Sequence, residues 1–108
     1  MAPSRNNRFC LPMNSWLKDI DRANTEAEVV SRTRDYCSLV SPRDLQPLPE
    51  ECREIRIESQ GDIPLLRERL AIGFESARAH ASELEKLRDL VSYLSRAAER
   101  LGEIRARS

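Results

Sequence analysis

Glycine, histidine, lysine and aromatic residues are all scarce in this 108-residue chain, and each scarcity closes off a class of structure or chemistry. The three glycines, at 61, 73 and 102, lie too far apart for a phosphate-cradling GxGxxG or Walker loop. With few turn formers and few β-branched residues, a β-sandwich or barrel is disfavoured. The single histidine, His80, excludes an HExxH site and any two-histidine metal centre. No apolar run approaches the roughly 18 residues of a membrane-spanning helix. Residues 1–13 carry Arg5 and Arg8 but no apolar core, so they do not read as a secretory signal, and the expected location is cytoplasmic.

Charge of one sign is also lacking. Eighteen basic side chains balance 18 acidic ones, for a net charge of zero. A neutral chain has no bulk field with which to gather phosphates, so nucleic acid is disfavoured as a partner. Within the basic set 16 are arginine; only Lys18 and Lys86 are lysine. Arginine forms bidentate contacts that lysine cannot.

The three cysteines, Cys10, Cys37 and Cys52, are odd in number and match no disulfide framework. With His80 they reach the count of a structural zinc site. No pair has the close C-x2-4-C spacing such sites use, so no metal or other cofactor is expected. Cys37 falls on an apolar helix face and packs as a small hydrophobe. A nucleophilic cysteine needs a base or a positive setting, which the sequence does not place beside any of the three. Acidic clusters at Glu50, Glu51 and Glu54 and at Glu83, Glu85 and Asp89 each open a helix, where carboxylates complement the dipole. No catalytic constellation emerges, and the chain is expected not to be an enzyme.

Ile, Leu, Val and Phe number 25, enough for a thin packed core. Proline is absent from 13–41 and from 65–108, and these stretches are the helix candidates because an interior proline costs about 3 kcal/mol. In the first, Trp16, Ile20, Ala23, Ala27, Val30 and Cys37 recur at helical spacing, after Asn14-Ser15 as caps. The pattern predicts a helix over 15–40, with a bend or fresh start at the Thr25–Glu28 capping box. Between the helix candidates, Ser41-Pro42-Arg43-Asp44 and Pro49-Glu50-Glu51 predict short helical turns. Residues 55–58 alternate like a strand but lack a pairing partner, so they read as extended coil.

The second stretch keeps one heptad phase: Ile63, Leu66, Leu70, Gly73, Ala77, His80, Leu84, Leu87, Val91, Leu94, Ala98 and Leu101. Asp62 reads as its N-cap, with Pro64 in the first turn. Unbroken, 62–106 would span about 67 Å. Two arrangements follow: a break near Ser82, at a second capping box with Glu85, or one long helix in a dimeric coiled coil. The break is preferred. The expected architecture is all-α: a small bundle of three main helices (about 15–40, 62–80 and 83–106) in a single domain over 14–108, after a flexible tail over 1–13.

The expected function is protein–protein interaction or assembly. Leu90, Ala97 and Ile104 widen the Leu84–Leu101 seam beyond what the first helix, interrupted by Arg34 on its own face, would cover. The candidate surface comprises Trp16, Leu87, Leu90, Leu94, Arg96, Ala97, Arg100, Leu101 and Ile104. Its expected partner is a second copy, a homodimer at micromolar concentration, or another protein. The alternative is a nucleic-acid-associated regulator using the Arg96–Arg107 end or the Arg32/Arg34 pair.

Overall fold

The computed structural model describes residues 13–77 and 84–107. Among the described residues four α-helices carry the fold: α1 (Met13–Asp21), α2 (Glu26–Cys37), α3 (Asp62–Ser76) and α4 (Glu85–Arg107). Two 3₁₀ turns, Pro42–Leu45 and Glu50–Cys52, lie in the connector between α2 and α3. The all-α architecture follows the expectation, with four helices in place of three. Among the described residues there is no strand, and 54–57 form neither helix nor strand.

The extra helix comes from the Thr25 capping box. Thr25 is extended (φ −128°, ψ 159°), which ends helical geometry before α2 starts. Its Oγ1 accepts the Glu28 N–H at 3.1 Å. Glu28 Oε1 in turn accepts the N–H groups of Asn24 at 2.6 Å and Thr25 at 3.1 Å. Reciprocal satisfaction of orphan donors makes a new helix start cheaper than continuing the old one. At the other end, α1 already includes Met13, so Asn14 and Ser15 lie inside its first turn and do not cap it.

The long second stretch is also two helices, packed against each other as a hairpin. The principal extents of 43 × 40 × 20 Å leave no room for one straight rod over 62–106, so the long-helix coiled coil is not the arrangement adopted. α3 spans Asp62–Ser76 against the expected 62–80, and α4 spans Glu85–Arg107 against the expected 83–106. Ser82 and His80 lie outside the described residues. Asp62 departs from its expected role. Its carboxylate turns back to accept the N–H groups of Glu58 and Ser59, each at 2.8 Å. It therefore closes the turn that delivers α3 and does not cap the helix itself.

α4 is the central element, packed against α1, α2, α3 and the first 3₁₀ turn. Its Leu87, Leu90, Tyr93, Leu94, Ala97, Leu101 and Ile104 are buried. Tyr36 stacks on Tyr93 at 4.2 Å and takes Trp16 edge-on at 5.1 Å, tying α1, α2 and α4 through one aromatic set. The connector fills the opposite end. Leu45, Leu48 and Cys52 are buried there, and Cys52 sits so close to α3 that a Cβ on Gly73 would fall 2.9 Å from its Sγ. Gly73, a weak point in the heptad phase, is thus the docking point for the connector.

Candidate functional site

The nine sequence-selected residues are found mostly in the interior. Trp16, Leu87, Leu90, Leu94, Ala97, Leu101 and Ile104 are all buried within the single chain. The cover that the sequence could not account for comes from α1, α2, α3 and the connector acting together. These seven side chains pack the fold and do not present a surface.

Arg96 and Arg100 are part-buried and already engaged. Arg96 donates to Asp21 Oδ1 at 2.7 Å and pairs with Glu99 at 2.9 Å and Glu103 at 3.2 Å. Arg100 directs Nε and Nη2 onto the Ala23 carbonyl, at 3.0 and 2.8 Å, and Nη1 onto Glu103 at 2.9 Å. Arg105 reaches Glu26 at 3.2 Å. Three arginines on successive turns of α4 therefore match three positions across the α1–α2 corner. Arg32 adds a fourth contact, from Nη1 to the Asp19 carbonyl at 2.8 Å. Arg32 on the Asp19 carbonyl and Arg100 on the Ala23 carbonyl, just past the end of α1, set cationic groups against the negative end of that helix. The second basic candidate, Arg34, is likewise occupied, donating to the Ile57 carbonyl at 3.0 Å.

The titratable groups answer to the fold. Burial pushes the Cys37 thiol up to about 12, which suits a packed hydrophobe and not a nucleophile. Cys52 is raised too, by burial and then by Glu51. Tyr36 rises to about 12, mainly by burial, then by the nearby Asp89 and Cys37. Tyr93 rises further, chiefly by burial. Its hydroxyl and Thr33 Oγ1 are buried without a hydrogen bond of acceptable geometry, although Thr33 is close enough to temper the rise. Glu28 and Asp62 are lowered by the backbone N–H groups they accept, and Glu103 by Arg100 and Arg96. Among the described residues no group of three or more His, Cys, Asp or Glu side chains could hold a metal ion. Cys10 and His80 lie outside those residues.

The outer face of α3 carries a surface that the heptad phase does not single out. Leu65 and Ile72 are 54% and 63% exposed and are the large apolar side chains that the described surface displays. They are seven residues apart, so they share one stripe, outside the phase of Ile63, Leu66, Leu70 and Gly73 that faces inward. That seven-residue spacing was the available signal. Glu68 and Arg69, both exposed, lie between them. Leu65 and Arg69 also border a cleft of about 220 Å³, completed by Glu54, Arg56, Asp62 and Leu66.

No family model matches the chain, and neither does any curated protein or solved structure. Among the described residues no helix is long and apolar enough to cross a membrane.

Proposed function

We propose that this protein is a small non-catalytic module that works by contacting protein, and that its contact surface is the outer face of α3. The observation that carries the reading is the exposed Leu65–Ile72 stripe. Two large apolar side chains on one stripe beside a cleft differ from hydrophobes scattered singly, which need no explanation. An apolar pair at i and i+7 is also the spacing by which one helix engages another. The thiol and carboxyl shifts support a non-catalytic role, since burial, helix starts and ion pairs account for them. Two buried free thiols suit a reducing compartment, in keeping with a cytoplasmic location.

The nucleic-acid reading has less to stand on. Arg96, Arg100 and Arg105 would have to release Asp21, Ala23 and Glu26 before they could take phosphates.

A photo-crosslinking residue at Leu65 or Ile72, used in cells that produce the protein, tests the proposal. Covalent adducts with protein are expected from both positions and not from exposed Glu99 on α4. Absence of adducts from Leu65 and Ile72 would overturn it.

A further inference from the structure

We infer that the occupant of the α3 outer face is a second copy of this chain, with the two α3 helices side by side and parallel about a two-fold axis. This rests on the reading of that face as a contact surface and goes on to name its partner. The charges that flank the apolar stripe select this partner. At 100° per residue, a seam drawn through Leu65 and Ile72 has Glu68 about 50° to one side and Arg69 about 50° to the other. A two-fold axis parallel to the helices sets the Glu68 side of one copy against the Arg69 side of its mate. Two Glu68–Arg69 pairs then form across the seam, while Leu65 meets Leu65 and Ile72 meets Ile72. An antiparallel pair would instead set Glu68 against Glu68 and Arg69 against Arg69. Like charges across a helix seam destabilise, so one pair of exposed residues both favours the parallel match and opposes the alternative.

The rest of the chain permits this approach. The buried side of α3, carrying Ile63, Leu66, Leu70, Gly73 and Ala77, points about 130° away from the seam. α4 and the buried part of the connector therefore lie away from the mate, while Glu54 and Arg56 of the connector flank the seam beside Leu65 and Arg69 at the cleft. α3 has 15 residues, about 22 Å, and the seam holds two large apolar side chains per copy. Such a contact is small, short of the roughly 1,200 Å² of stable complexes, so the dimer is a weak and reversible one.

Sedimentation equilibrium from about 20 µM to 1 mM reads the outcome. The average mass should climb from the 12.4 kDa monomer toward twice that value. Leu65→Lys with Ile72→Lys should hold it at the monomer, with an unchanged circular dichroism spectrum. Glu68→Arg alone and Arg69→Glu alone should each weaken association about tenfold or more. The double exchange Glu68→Arg/Arg69→Glu should restore it to within about twofold. A monomer throughout the range would overturn the inference. So would association indifferent to Leu65 and Ile72, or a double exchange no better than either single one. Adducts of a different protein at Ile72, with a monomer in the centrifuge, would leave the contact-surface proposal standing and remove only the second copy.

Discussion

α3 and α4 face each other across one hairpin, yet they bury themselves on different terms. α4 is held along its whole length: an apolar stripe against three helices, and Arg96, Arg100 and Arg105 against the α1–α2 corner. α3 is held on one side, by α4 and the second 3₁₀ turn, and leaves Leu65 and Ile72 on the other. An element with neighbours on several sides can spend nearly every apolar residue on the core. An element at the margin of a thin fold has a second face, and what stands there is free of the demands of packing. The difference teaches that apolar content alone does not mark a contact surface; position in the fold does.

The same substitution on the two helices gives the sharpest contrast. Leu87→Asp should destabilise by about 4 kcal/mol or more in urea unfolding, because it buries an unpaired charge. Leu65→Asp, measured at low concentration, should stay within about 0.5 kcal/mol of the parent. Equal losses would erase the distinction between the helices.

The next effect probes the clamp on α4. Arg100→Ala removes both bonds to the Ala23 carbonyl and should cost about 2 kcal/mol. Arg100→Lys should recover less than half, since a point charge cannot reproduce the two-pronged contact. Full recovery by lysine would show that charge alone secures the corner.

A smaller effect marks the one tight spot on α3. Gly73→Ala places a methyl 2.9 Å from Cys52 Sγ and should cost about 1–2 kcal/mol, even after the gain in helix propensity. In a double-mutant cycle with Cys52→Ala the penalty of Gly73→Ala should shrink. Simple additivity would mean the two residues do not compete for space.

The mildest effect is acid loosening. Glu103 on α4 has its carboxyl lowered from the ordinary 4.5 by Arg100 and Arg96, and Asp62 on α3 from 3.8 by backbone N–H groups. A depressed carboxyl stabilises above its unfolded value, and that contribution fades as pH falls through the folded value. The melting temperature should therefore decline as pH drops below about 4.5. Glu103→Gln should flatten part of that decline, and an identical acid profile in this variant would detach Glu103 from it.

Much of the fold was legible because its signals are local. The Thr25–Glu28 box needs only four residues, and it forms as the sequence implies. The proline-led turns at Pro42 and Pro49 are equally local. The site was harder, for a reason visible in Leu90 and Ile72. Both are large apolar residues on helices, and periodicity treats them alike. Only the number of elements stacked over α4 decides that Leu90 is fully covered while Ile72 is not. The same holds for Arg100. Its charge reads as a surface feature until the chain brings Ala23, 77 residues earlier, to within 3 Å.

That separation has a consequence for biosynthesis. At about 5–20 residues per second, some 4–15 s pass between emergence of Ala23 and of the arginine that secures it. Through that interval the α1–α2 corner has its capping box but not its clamp, and for most of it the Tyr36 ring lacks Tyr93 as a lid. α1 and α2 are thus made well before α4 arrives to fasten them. A nascent chain arrested before residue 93 would expose the aromatic face of Tyr36 that Tyr93 covers in the finished protein.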